Sequence, residues 1–218
     1  MSSLPTERKK RAREIYEILI KIYPDARPLL THKNAYELLV ATILAAQCTD
    51  ERVNTVTPGL FARFPDAHGL VKAGEKELED IIHPTGFFRN KTRNLKKLGA
   101  ALVEQYAGRV PETIEELVAL PGIGRKTANV IAGYCYQKPA VIVDTHFKRV
   151  TGRLGLTDNT NPDKIEKDLR AILPEEIQTG FSGAVNYHGR YRCTARKPRC
   201  PACEIKTLCP FPDKTTAA

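Results

Sequence analysis

The sequence predicts an all-α protein, and three observations predict it. Apolar residues recur three and four apart through most of the chain. Helix start and stop signals, such as Asn161-Pro162 and Gly108, punctuate those stretches. The only β-branched run, over 139–143, is too short to found a sheet.

Taken in order, Ile15, Ile18, Leu19 and Ile22 mark a first helix that ends at Pro24. A second, over 34–47, sets Tyr36, Leu39, Val40 and Ile43 on one face and closes at Gln47, an expensive place for an amide without a partner. A third starts at Thr49 or Asp50 and ends near Pro65. Helices over 75–83 and 90–106 follow, the latter closed by Gly108. Residues 113–119 read as a short turn before Leu120-Pro-Gly-Ile-Gly124, after which a helix continues to Tyr136. Further helices begin at Asp144, at Asn161 and near Gln178.

Of the 218 residues, 42% are hydrophobic and 27% charged, an ordinary globular composition that excludes wholesale disorder. The longest apolar run, over 38–46, is interrupted by Thr42 and falls far short of the roughly 20 residues that span a bilayer. Residues 7–14 are rich in charge, with no apolar segment before them, so no secretory signal is expected. A cytoplasmic monomer with reduced thiols is the expectation, nucleoid-associated if the source is bacterial.

The net charge of +9 raises the prior for a polyanionic partner, because each base that neutralises a phosphate releases a counterion. Two stretches concentrate it. Over 86–98 there are Arg89, Lys91, Arg93, Lys96 and Lys97 and no acid; over 190–206 the bases face only Glu204. Either stretch alone reads as a solvated face.

Cys193, Cys200, Cys203 and Cys209 are spaced C-x6-C-x2-C-x5-C. Without a secretory signal such a cluster reads as a metal site, and four thiolates complete either tetrahedral zinc or an iron-sulfur cluster. Cys48 and Cys135 read as small buried hydrophobes.

Pro121-Gly122-Ile123-Gly124 permits a tight turn with φ > 0 and leaves backbone N–H groups outward just before a helix N-terminus. Such a nest binds phosphate without reading sequence; a plain interhelical bend is the bland reading. The uncharged run over 127–137 predicts a helix buried nearly all round. Lys126 at its positive end, beside Arg125, then has its charged form disfavoured, which is how an amine becomes a nucleophile near neutral pH. A snorkelling surface lysine is the alternative. Asp144 reads as a helix cap, and its carboxylate also offers stabilisation to a sugar cation. His146 reads as a first-turn residue.

LPGIGRKTA at 120–128, VDTHFKR at 143–149, AAQCTD at 45–50, HGRYRC at 188–193 and the cysteine spacing together resemble the helix-hairpin-helix DNA glycosylases over nearly the whole chain. The resemblance implies two helical domains with a DNA-binding cleft between them. One is a six-helix domain over about 28–138; the other is built from 1–27 and 139–218 and carries a 4Fe-4S cluster on Cys193, Cys200, Cys203 and Cys209. It implies Lys126 as nucleophile and Asp144 as essential carboxylate. Gln47 would fill the gap left by a flipped base, and Phe87 would be the wedge that enters the stack. Gly122, Ile123, Gly124 and Arg125 would hold the phosphate backbone, with Arg196, Lys197 and Arg199 adding phosphate contacts.

The activity implied is removal of oxidised pyrimidines from duplex DNA through a lysine Schiff base, with β-elimination nicking the strand. The related adenine glycosylase of mismatches typically lacks the lysine and carries a further domain for which 218 residues leave no room. Removal of alkylated bases by a related branch is a second possibility, and non-catalytic DNA binding a third; a desolvated lysine paired with Asp144 is of no use to a mere binder.

Overall fold

A computed structural model describes residues 3–216. Among the described residues it contains eleven α-helices, two short 3₁₀ turns and no strand. The helices are α1 (Ser3–Ile22), α2 (Ala35–Leu44), α3 (Asp50–Arg63), α4 (Ala67–Lys72), α5 (Glu75–Ile82), α6 (Phe88–Tyr106), α7 (Ile114–Ala119), α8 (Arg125–Cys135), α9 (Thr145–Arg153), α10 (Pro162–Ile172) and α11 (Gln178–Tyr191).

Side-chain caps set most of the starts. Asn34 accepts from Glu37 N–H at 2.9 Å while Glu37 accepts from Lys33 N–H at 2.7 Å, fixing the first turn of α2. Thr49, Asp66 and Asp144 accept from the N–H three residues on, and Asn161 accepts from Asp163 and Lys164 ahead of Pro162. The expected turn over 113–119 is instead α7. Thr113 accepts from Glu116 N–H as the cap and donates its hydroxyl to Glu116 Oε2 at 2.6 Å, a pair that the sequence displays as Thr-x-x-Glu. Residues 137–144 form no helix or strand, and Gln137 takes a left-handed φ of 55°.

The chain forms two compact units. One runs from Pro28 to Tyr136 and holds seven helices, α2 to α8; the other joins the segment ending at Arg27 to the segment beginning at Gln137. In the first unit Leu38, Leu39 and Leu44 of α2, Leu60 of α3, Leu70 of α4, Leu78 of α5 and Leu95 of α6 are fully buried. In the second, Ala12, Ile15 and Leu19 of α1 join Phe147 and Val150 of α9, Ile165 and Leu169 of α10 and Phe181 of α11.

Candidate active site and nucleic-acid interface

In the Pro28–Tyr136 unit, Leu120 O accepts from Ile123 N–H at 3.2 Å, with Pro121 second and Gly122 third at φ 79°. This is the residue arrangement of a type II turn, whose third position excludes a Cβ. Ile123 is buried and pins the turn to the core. Its N–H is thus spent inside the turn and does not face outward as expected. Gly124 does not take positive φ either: it is the extended N-cap of α8, at φ −91°, and a Cβ there would meet nothing within 4 Å. Its smallness serves no packing within the unit and leaves the backbone bare to an approaching partner. The first N–H groups of α8 follow it, without partners inside the helix and at the positive end of its dipole.

Lys126 sits in that first turn and is exposed, as is Arg125; burial starts at Ala128 and runs through Gly133. The expected desolvation of Lys126 is therefore not provided by its own unit. The cause is geometric, since helical side chains lean toward the N-terminus and carry a first-turn residue past the packed part of the helix. Cys48 and Cys135 are half-buried rather than enclosed, and burial raises the Cys135 thiol.

Gln47 also differs from expectation. Helix α2 stops at Leu44, and Gln47 lies beyond it, exposed, at φ 55°. Phe87 follows Gly86 (φ 71°), has φ 49° itself, and is 61% exposed. Among the described residues, four exposed non-glycine residues take the left-handed region: Ala107 caps the end of α6 and Gln137 follows α8, while Gln47 and Phe87 sit in turns, where such strain is often stored at ligand-facing segments.

Not all of the basic run at 86–98 is a solvated face. Arg89, Arg93 and Lys97 are exposed, but Lys91 is buried and donates to Leu44 O at 2.7 Å and Thr85 O at 2.8 Å. Lys96 donates to Val71 O and Ala73 O, at the end of α4. Both lysines answer unpaired helix-end carbonyls, which a reading of charge alone does not reveal.

In the other unit Asp144 caps α9: Oδ1 accepts from Phe147 N–H at 2.7 Å and Oδ2 from the Asn186 amide. Asn186 in turn accepts from Arg190 Nε at 3.0 Å. Burial holds His146, in the first turn of α9, below the usual histidine range. Where α11 crosses α9, a Cβ on Gly189 would stand 2.9 Å from the Cβ of His146, so only glycine allows this approach.

The far end of α9 grips the cysteine loop. Arg149 donates to Gly189 O at 2.7 Å and to Cys193 O; Arg153 donates to Cys193 Sγ at 3.3 Å, Thr194 O at 2.8 Å and Ala195 O at 2.9 Å. The Arg153 guanidinium also lies 4.7 Å from the Phe211 ring centroid. Cys193, Cys200, Cys203 and Cys209 all line one cavity of about 420 Å³ including its mouth, with Arg153, Arg192, Arg199 and Lys206 around it. Among the described residues, no three His, Cys, Asp or Glu side chains converge on a single-ion site. Burial pushes Cys203 up to about 11 and raises Cys209, so these thiols become ligands by releasing protons as a metal binds. Buried His188, lowered to about 4, presents Nε2 at 3.6 Å from Cys203 Sγ. Arg196, Lys197 and Arg199 are exposed along the loop.

The chain matches the HhH-GPD superfamily of base excision DNA repair proteins over residues 40–175. It is 50% identical to endonuclease III of Synechocystis sp. over 96% of its length and 98% of that protein's. The chain belongs to the endonuclease III family. It shares 40% identity with endonuclease III of Bacillus subtilis over 86% of each chain. A trapped endonuclease III–DNA covalent intermediate, an estranged-adenine complex, has the same fold at TM-score 0.86 and 41% identity, covering 93% of this chain and 96% of the other. A non-covalent endonuclease III–DNA complex matches at the same TM-score and identity, covering 93% and 95%. Among the described residues no helix is long and apolar enough to cross a bilayer.

Proposed function

We propose that this chain is a bifunctional DNA glycosylase and AP lyase of base excision repair, with Lys126 as nucleophile and Asp144 as its carboxylate partner. The substrate is double-stranded DNA carrying an oxidised pyrimidine or an abasic site, met in the cytoplasm or nucleoid. The two compact units are taken as its two domains. The observation that carries the reading is an exposed lysine in the first turn of a helix entered through a Pro-Gly turn, within a family whose members include one trapped covalently on DNA.

The hairpin supplies the docking chemistry. The bare backbone at Gly124 and the N–H groups opening α8 bind a phosphate oxygen, and exposed Arg125, Arg196, Lys197 and Arg199 add charge. With the damaged nucleotide turned out of the stack, the neutral amine of Lys126 attacks C1′. The C1′–N bond breaks and the base leaves with its electron pair, taking up a proton. As charge develops on the sugar, Asp144 opposes it; its orientation is fixed by the Phe147 N–H and Asn186 donors. The sugar ring opens to an imine between Lys126 Nζ and C1′. Loss of a C2′ proton then expels the 3′ phosphate and nicks the strand.

Four sulfurs around one cavity ringed by arginine and lysine fit an anionic, thiolate-held group, and Cys193, Cys200, Cys203 and Cys209 would hold a 4Fe-4S cluster there. Bound, the cluster cross-links the C-terminal loop.

A Schiff base requires an amine, so borohydride is expected to trap a covalent adduct between protein and a duplex bearing one damaged pyrimidine. Lys126→Gln is expected to abolish trapping and nicking while leaving duplex affinity within about threefold, because one lysine adds little to an interface of many phosphate contacts. Trapping by Lys126→Gln at the wild-type rate would place the nucleophile elsewhere.

A further inference from the structure

Among the described residues, Lys91 is the one lysine or arginine that is buried, 4% exposed. Its ammonium is held by two carbonyls from separate segments: Leu44 O, at the end of α2, and Thr85 O, at the end of the 3₁₀ turn His83–Thr85. Each carbonyl stands just before a left-handed, exposed residue, Gln47 (φ 55°) in one case and Phe87 (φ 49°) in the other. The Lys91 backbone takes part too, its N–H donating to Phe87 O at 3.1 Å. Neither turn relieves its strain with glycine at the strained position. Nor does the Phe87 turn have a side-chain cap at the start of α6.

We propose that Lys91 is a positioning residue for base extrusion, a single ammonium that ties the Gln47 turn to the Phe87 turn so that both side chains meet DNA as a preset pair. The proposal rests on the glycosylase reading above, in which these two side chains replace and unstack bases. Lys91 touches neither DNA nor the reacting atoms; it acts through the conformation of the two turns. An apolar side chain of similar length would fill its space yet leave both carbonyls without their donor.

The test compares a substrate that needs extrusion with one that does not, in the full chain with its iron bound. Single-turnover base release from a duplex with one oxidised pyrimidine is set against cleavage at an abasic site in single-stranded DNA. Lys91→Met is expected to slow the first by about tenfold or more and the second by less than about twofold. In a Gln47→Ala/Phe87→Ala background, adding Lys91→Met should slow duplex base release by less than about twofold further, since the turns it positions no longer carry their side chains. Equal slowing of both substrates, or a full additional loss in that background, overturns the proposal.

Should Lys91→Met not fold, Lys91→Gln, a shorter donor, takes its place under the same two comparisons; failure of both to fold makes the lysine a structural residue and sinks the idea. Base release by the unaltered chain is read first. Its absence defeats the glycosylase reading alone, and the clamp is then judged by hydrogen exchange over 45–48 and 86–90, which must be faster in the variant.

Discussion

In the proposed mechanism Asp144 carries two tasks on one carboxylate, and substitutions separate them. As a cap it needs only an oxygen facing Phe147 N–H, which asparagine also supplies. As a partner for a sugar cation it needs charge: at roughly 4 Å and an effective dielectric of about 20, opposite charges attract by about 4 kcal/mol, worth about a thousandfold in rate. Asp144→Asn is therefore expected to melt close to the unaltered protein while losing about 10²–10³-fold in base removal. Asp144→Ala should lose as much activity and also melt about 2–4 °C lower, from loss of a cap worth about 1 kcal/mol. Thermal melts and single-turnover assays on the two variants decide it; equal activity of the Asn form would reduce the residue to a cap. The cap itself was legible in the sequence, because Asp before a helical stretch has one common use. The environment of Lys126 was not, since a run of uncharged residues tells where a helix is buried but not where along its axis burial begins.

Helix α9 joins two chemistries that are distant in sequence. Asp144 stands at its start; Arg149 and Arg153, near its end, hold the loop that contains the four cysteines. Arg153→Met should leave the carbonyls of Thr194 and Ala195 without donors and free one wall of the cavity. Bleaching of the visible absorbance by a chelator is expected to be about tenfold faster in Arg153→Met, with about four irons per chain in freshly isolated protein. Zinc in place of iron, or bleaching at the unaltered rate, would contradict the assignment. Elements of this kind were partly readable. The starts at Asn161 and Gln178 follow from caps and apolar spacing, and the cysteine loop from its spacing. Helices α4 and α7, six residues each, show too little periodicity to stand out, although Asp66 and the Thr113/Glu116 pair mark where they begin. Lys91 was invisible for another reason: its burial is decided by carbonyls from two other segments, and a lysine among four other bases reads as surface.

Across the whole molecule the surplus of positive charge sets how binding responds to salt. The logarithm of affinity is expected to fall linearly with the logarithm of salt concentration, by about 0.9 for each phosphate neutralised. Replacing exposed Arg196, Lys197 and Arg199 together by alanine should flatten that slope by about two to three units while leaving the preference for damaged over intact duplex in place. An unchanged slope would mean that the cysteine loop does not face DNA.

The order in which the chain leaves the ribosome gives the two units different histories. The unit from Pro28 to Tyr136 is continuous, so its core can close as soon as α8 has emerged. Helix α1, made before that unit, has to wait longer. Ala12, Ile15 and Leu19 of α1 belong to a core whose other helices, α10 and α11 against α1 itself and α9 beyond, are all synthesised after the intervening unit, at about 5–20 residues per second. Until then α1 is an amphipathic segment with its apolar face uncovered, and the thiols from Cys193 to Cys209 appear after all of α1 to α11. On the proposed ligand set, a cluster can be completed only once Cys209 has emerged, when the continuous unit from Pro28 to Tyr136 is already whole and the split unit still lacks its cross-link.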